Sequence, residues 1–265
     1  MTWHEIARKD VADSIRSNTF VLLAVGFLLV TFTLSSMQQI FGDPTFEEGV
    51  GAAFGTMSLL IPIVAVLLSY PAIVGERESG SIHVLLSLPV SRAELLLGKT
   101  VGRTLALFVP VFIGYMLVIP FLYVIYGSFA LSEYGQFLVG NLTNGILYTV
   151  IGVSVSAALA TSRRVLAVLT GLFLTVYFAL YVIGDVLYWA IHGEVSETSP
   201  AWIGFIENLA PHEAIGIIMD VLWTRELSTG EPLLLQEWVS VIVFALWFIV
   251  PVAIGYLRFR SSDVI

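Results

Sequence analysis

Long apolar runs dominate the chain and predict its architecture. A helix needs roughly 20 apolar residues to cross the hydrocarbon core of a bilayer. Runs near or above that length occupy residues 19–37, 52–74, 104–126, 137–160, 165–189 and 238–259. The strands of a membrane barrel would alternate apolar and polar residues, and these runs do not alternate. The pattern therefore predicts an all-α polytopic membrane protein, with six transmembrane helices in a single domain over 1–265.

Two stretches outside these runs predict shorter helices. In residues 2–16 the apolar positions recur at helical spacing and form one face: Trp3, Ile6, Ala7, Val11 and Ile15. This amphipathic pattern predicts a helix that lies in the membrane interface or packs on a partner subunit. The connection 190–237 contains two short amphipathic stretches, 200–207 and 211–223, which are too short to span the membrane.

The basic residues predict the orientation of the chain. If six helices span the membrane, both termini lie on one side, and 11 of the 12 Lys and Arg residues lie there too, with only Arg225 opposite. This bias predicts that the basic side and both termini are cytoplasmic. The opposite side carries most of the acidic residues, which either solvate an outer surface or attract cations. Only 12% of the residues are charged, about half the share of an average soluble domain.

The polar segment, residues 75–103, separates the second apolar run from the third. It contains four of the 12 basic residues, namely Arg77, Arg92, Lys99 and Arg103. Residues 81–88 predict a short apolar helix that ends at Pro89, and Ser91 with Glu94 fits a capping box. On the water side of a membrane, the apolar side chains of such a helix need a partner surface. Those side chains are Ile82, Leu85, Leu86 and Leu88.

Two stretches of the chain match a phosphate-binding loop only in part. Gly75-x4-Gly80 precedes Ser81 where a phosphate loop needs Lys, and Gly98-Lys99-Thr100 has Ala93 where the first Gly should lie. The spans carry no ionisable residue at mid-depth, where ion-coupled carriers place theirs. We therefore expect no catalytic, metal or cofactor site and no nucleic-acid partner, and the energy for any transport must come from elsewhere.

Residues 76–81 (ERESGS), 85–92 (LLSLPVSR) and 98–99 (GK) closely resemble the cytoplasmic signature of type-2 ATP-binding-cassette (ABC) permeases. The family usually has Thr where Ser81 stands. Residues 208–214 (NLAPHEA) resemble the Asn-Pro-x-Glu-Ala element of the copper-processing permeases of nitrous-oxide-reductase maturation, although Ala210 intervenes before Pro211.

The resemblance implies a multi-pass permease subunit of the plasma membrane that is not itself an enzyme. It would form a dimer with a second copy or a paralogue, bind two copies of a separate ATPase, which holds the ATP, and export its substrate by alternating access. Its coupling helix would dock on the ATPase, which implies an interaction role for Glu76, Arg77, Glu78, Gly80, Ser81, Ile82, Leu85, Leu86, Pro89, Ser91 and Arg92. The alternative is a membrane anchor or sensor subunit of an assembly complex, without a transport cycle.

Overall fold

The computed structural model describes residues 2–87, 89–194, 200–225, 227 and 230–261, and these contain no strand. The helices are α1 (Trp3–Arg16), α2 (Thr19–Phe41), α3 (Phe46–Ser69), α4 (Pro71–Glu78), α5 (Ser81–Ser87), α6 (Arg92–Tyr126), α7 (Leu131–Ala158), α8 (Ser162–Leu174), α9 (Leu180–His192), α10 (Ala201–Asn208), α11 (Pro211–Thr224) and α12 (Glu237–Ser261). A π-helical turn, Thr175–Ala179, joins α8 to α9, and a 3₁₀ turn, Leu233–Leu235, precedes α12.

The prediction of six membrane-spanning helices is confirmed. Six helices in the described ranges are long and apolar enough to cross a membrane: Thr19–Phe41, Phe46–Glu78, Arg92–Tyr126, Leu131–Ala158, Ser162–His192 and Glu237–Ser261. The third is longer than its apolar run, because α6 begins at Arg92 and continues without a break through Gly98 and Gly102 for 35 residues. The protein is therefore an all-α polytopic membrane protein.

The chain forms two compact units, Met1–Val165 with Pro251–Ile265, and Leu166–Val250. The single domain over 1–265 stays a prediction. In the first unit α7 is the central helix, since 67% of its most apolar stretch is buried. The largest fully buried side chains of this unit include Met57, Ile61, Tyr115, Leu122, Leu147 and Ile151.

Helix α1 packs along the first turns of α6. Two glycines of α6 allow the close approach: a Cβ at Gly102 would lie 2.7 Å from the Asp10 Cβ, and one at Gly98 would lie 2.8 Å from the Ile6 Cβ. The predicted helix 2–16 is confirmed, but its buried face differs from the predicted one. Asp10 is buried, whereas Ile15 is 54% exposed. The polar position of Asp10 is explained below by the ion pairs that it makes.

The close contact of α1 with α6 predicts opposite effects for two glycine-to-alanine substitutions. Gly102→Ala should lower the free energy of unfolding by about 1–3 kcal/mol, since the added methyl meets backbone and Cβ atoms of α1. Gly26→Ala should raise it by up to about 1 kcal/mol, because no atom lies within 4 Å of that site and alanine favours helix. Thermal unfolding of both variants in the same detergent measures the difference. Equal unfolding temperatures would argue against the docking of α1.

In the second unit, α10 packs against α9. A Cβ at Gly184 of α9 would lie 2.8 Å from Cγ2 of Ile203, so the glycine lets the two helices approach closely. Trp247 of α12 donates its indole N–H to the carbonyl of Leu209 at 2.9 Å. The two short helices predicted between 190 and 237 are present as α10 and α11, while residues 195–199, 226, 228 and 229 of that connection lie outside the described ranges.

Candidate functional site

The polar segment is folded along its described length. It contains the end of α4, all of α5 and the first turns of α6. Gly80 separates α4 from α5 with φ +75°, a left-handed conformation that favours glycine. The predicted capping box is present: the Ser91 Oγ accepts from the Glu94 N–H at 3.2 Å, and the Ser91 N–H donates to Glu94 at 2.9 Å. The predicted helix 81–88 is observed as Ser81–Ser87, and Leu88 lies outside the described residues.

Arg77 binds the carboxyl end of α7. Its Nη1 donates to the carbonyl of Leu159 at 2.9 Å, and its Nη2 donates to that of Ala157 at 3.0 Å. The last carbonyls of a helix have no partner within the helix and carry partial negative charge. The guanidinium therefore donates hydrogen bonds to the last carbonyls of α7, and its positive charge complements the negative end of the helix dipole.

Arg92 binds the carboxyl end of α12 in the same way. Its Nη1 donates to the carbonyl of Phe259 and, at 2.9 Å, to that of Arg260. The Phe259 ring is fully buried, and the guanidinium carbons of Arg77 and Arg92 lie 5.2 and 5.5 Å from its centroid. We call these three residues the Phe259 clamp. It joins α4, the start of α6 and the end of α12.

Glu78 binds the amino end of α8. The Ser162 N–H donates to its Oε1 at 2.7 Å, and the Ser162 hydroxyl donates to its Oε2 at 2.6 Å. A carboxylate at the amino end of a helix satisfies free N–H groups and complements the positive end of the dipole. Glu78 thus holds the end of α4 to the start of α8.

A buried ion network joins the segment to α1. The Lys99 Nζ lies 3.0 Å from Asp10 Oδ1 and 2.7 Å from Glu76 Oε1, and the Arg103 Nε lies 3.0 Å from Asp10 Oδ2. The Ser81 hydroxyl also donates to Glu76. The Lys99 and Asp10 side chains are only 6% and 5% exposed. Burial of charge is tolerated here because two cations face two carboxylates.

The break between α3 and α4 is held by the same neighbours. Pro71 begins α4 and donates no N–H, so the helix ladder is interrupted there. The Ser156 hydroxyl of α7 accepts from the backbone N–H groups of Ile73 and Val74, at 3.1 and 3.0 Å. Arg103 donates to the carbonyl of Leu68 at 3.2 Å. The polar groups at this bend are therefore paired with α6 and α7.

The predicted interaction residues divide into two sets. Ile82 packs in an apolar cluster of this chain with Ile73, Leu95 and Phe259, so the expectation that Ile82 is wet without a partner is wrong. Glu76, Arg77, Glu78, Ser81 and Arg92 also bind within the chain, as described above. Leu85 packs against the same cluster, and the side chain of Leu86 is not described. The exposed residues of the segment include Gly80, His83, Val84, Ser87, Pro89 and Ser91.

Sequence reasoning missed four residues that complete the site. Asp10, Ser156, Ser162 and Phe259 lie far from the polar segment in the chain, so no local spacing connects them with it. Asp10 alone left a signal, because it follows Ile6 and Ala7 at helical spacing and so shares their buried face. Among the described residues, no group of three or more His, Cys, Asp or Glu side chains is placed to hold a metal ion. The bonds of the polar segment can transmit a displacement of the segment to the helices that it contacts.

Comparison with known proteins assigns the family. Residues 4–264 match the model of the family described as ABC-2 family transporter protein. A probable ABC transporter permease protein NosY of Stutzerimonas stutzeri is 26% identical over 278 aligned positions, which cover 96% of each chain. The protein of the same name from Pseudomonas aeruginosa is 29% identical over 161 positions, and this match spans 57% of the present chain and 58% of that relative.

The family match agrees with the fold. Six helices of the described residues are long and apolar enough to cross a membrane, as a membrane subunit of a transporter needs. Membership of an ABC transporter family implies an ATPase partner. The chain therefore belongs to the ABC-2 family of transporter proteins and is a membrane permease subunit of an ABC transporter.

Proposed function

We propose that this permease exports its substrate from the cytoplasm, driven by the closure of two copies of a separate ATPase on the polar segment. The observation that carries the proposal is the set of side-chain bonds from this segment to other helices. Lys99 and Arg103 reach α1, Arg77 reaches α7, Glu78 reaches α8, and Arg92 reaches α12. A displacement of the segment therefore displaces the ends of helices throughout the first unit.

The surface that meets the ATPase is the exposed side of α5 and the link after it. It includes His83, Val84, Ser87 and Pro89, with Val84 67% exposed. An apolar side chain this exposed on a short helix, with the exposed His83 before it and the exposed Ser87 three residues after it, suits a protein contact. Under this proposal Ile82, Arg77 and Arg92 hold the segment in place, and His83 and Val84 contact the partner.

The same proposal places the polar segment and both termini in the cytoplasm and the protein in the plasma membrane. The distribution of the basic residues supports that orientation. Two permease copies, or this chain and a paralogue, would enclose the path of the substrate. Neither the signature in the polar segment nor the resemblance of residues 208–214 to copper-processing permeases identifies the substrate.

Substitution of Val84 tests the docking surface. Val84→Asp should weaken binding of the ATPase by about tenfold or more, or about 1.4 kcal/mol, since a carboxylate would lose its water at an apolar contact. Val84→Thr keeps the shape without adding a full charge and serves as the matched control. Binding is measured by titrating the purified partner ATPase onto the purified permease in nanodiscs.

Transport distinguishes a permease from an anchor. In vesicles that contain the intact complex, ATP should drive export that Val84→Asp lowers in proportion to ATPase binding. Full ATPase binding by Val84→Asp would overturn the docking surface. Binding without any ATP-driven conformational change would favour the anchor or sensor alternative.

A further inference from the structure

A second polar cluster lies in the Leu166–Val250 unit. The Tyr181 hydroxyl of α9 lies 2.9 Å from the His212 Nε2 and 2.5 Å from the Glu213 Oε1, both on α11. These bonds tie α11 to the spanning helix. The proposed function of the protein uses none of the three residues, and the inference below does not depend on it.

The imidazole also stacks on an aromatic ring. The Tyr177 ring lies parallel to that of His212, with centroids 4.2 Å apart and an interplanar angle of 2°, and the Phe173 ring stacks on Tyr177 with centroids 4.6 Å apart. Tyr177 belongs to the π-helical turn Thr175–Ala179. Such turns are rare and often occur at functional positions. His212 is thus enclosed by one ring in parallel contact and one hydroxyl at hydrogen-bond distance.

The protons of this cluster have one consistent arrangement. An ionised carboxylate only accepts hydrogen bonds, so the single Tyr181 proton points to Glu213. The Tyr181 oxygen then accepts from His212, which must carry its proton on Nε2. A neutral imidazole has no second proton, so its Nδ1 is bare. That Nδ1 is buried, with no partner among the described residues.

A second proton on His212 would break this arrangement. It would place an N–H on Nδ1, where burial offers no acceptor, and burial accordingly lowers the pKa of His212, opposed in part by the charge of Glu213. The nearby acids on the other packed helices are Glu207 of α10 and Asp185 of α9, and burial, with the charges of Asp185 and Glu213, raises the pKa of Glu207. Glu213 is the acid whose charge favours a protonated His212, and burial is the larger of the two opposing influences on the pKa of His212.

We propose that Tyr181, His212 and Glu213 form an acid-released latch that holds α11 on α9 while His212 is neutral and frees it when His212 takes up a proton. The direction of the pH effect follows from the linkage between proton binding and the stability of the latched state. His212 binds its proton less tightly in the latched state than in the released state. The latched state therefore has its full stability at pH values above the ordinary histidine pKa of about 6.5. That stabilisation is lost as the pH falls below this value.

Thiol labelling tests the latch, because the chain contains no cysteine. Ala214→Cys reports on a buried position of α11 and Gly216→Cys on an exposed one. In nanodiscs, the maleimide labelling rate of Ala214→Cys is divided by that of Gly216→Cys. This ratio cancels the effect of pH on the thiol itself. Between pH 7.5 and 5.5 the ratio should rise by up to about tenfold, the limit for one proton on a group whose pKa in the released state is about 6.5.

Two variants assign the effect to the latch. His212→Gln keeps a donor for Tyr181 but does not titrate in this range, so the labelling ratio should stay low at both values of pH. Tyr181→Phe removes the bond to α11, so the ratio should be high at both. Hydrogen exchange of residues 211–224 in the cysteine-free chain gives an independent measurement of the same opening. A ratio that does not change with pH, or a response that survives His212→Gln, would overturn the proposal.

Discussion

Replacing Lys99 by methionine should lower the free energy of unfolding by about 3–5 kcal/mol, the usual cost of removing one partner from a buried ion pair. Lys99 lies between Asp10 and Glu76, and its side chain is only 6% exposed. Methionine fills a similar volume but leaves two carboxylates facing one remaining cation, Arg103. For a chain of this size the loss corresponds to a fall of roughly 10 °C in unfolding temperature.

Two controls separate the charge from the packing of Lys99. Arg8→Met removes an exposed cation of α1 and should change the unfolding temperature by no more than about 1–2 °C, the range of ordinary surface substitutions. The double variant Lys99→Met with Glu76→Gln removes one charge of each sign and should recover part of the loss. If Lys99→Met unfolds at the same temperature as Arg8→Met, the network does not stabilise the fold.

The elements of this fold could be predicted from local pattern, because each depends on neighbouring residues. Apolar run length predicted the spanning helices, helical periodicity predicted α1, α10 and α11, and the spacing of Ser91 and Glu94 predicted the start of α6. The exact ends could not be predicted by hydropathy. Polar residues such as Lys99 and Arg103 continue α6 before its apolar run begins, since their charges are paired by Asp10 and Glu76.

The inner contacts of the candidate site could not be predicted, because they join distant parts of the chain. Phe259 belongs to an apolar run. The sequence of such a run does not distinguish a ring that contacts two guanidinium groups from a ring that faces lipid. Ile82 and Val84 are both apolar residues of α5, yet Ile82 is 1% and Val84 67% exposed. The periodicity of so short a helix does not show which side meets its own chain. The π-helical turn near Tyr177 likewise has no sequence signal.

The Phe259 clamp gives the other large expected effect. Phe259→Ala should lower the free energy of unfolding by about 3–5 kcal/mol, since it empties a fully buried site. Phe259→Leu keeps most of the apolar volume and removes only the ring that Arg77 and Arg92 contact. Its cost should be about 1–2 kcal/mol, from imperfect packing and the lost cation–π contacts. Phe248→Leu, which changes a phenylalanine paired with Phe244 in the same helix, is the matched control.

The clamp is also expected to limit the motion of the polar segment relative to the end of α12. If it joins the polar segment to the end of α12, spin labels at the exposed positions 97 and 257 should keep one narrow distance when the ATPase is trapped with ADP and vanadate. In Phe259→Leu the distance distribution should broaden or shift on trapping, and in Phe248→Leu it should not. A distance that stays narrow in Phe259→Leu would mean that the backbone bonds of Arg92 to the last carbonyls of α12 are sufficient, and that the ring serves packing alone.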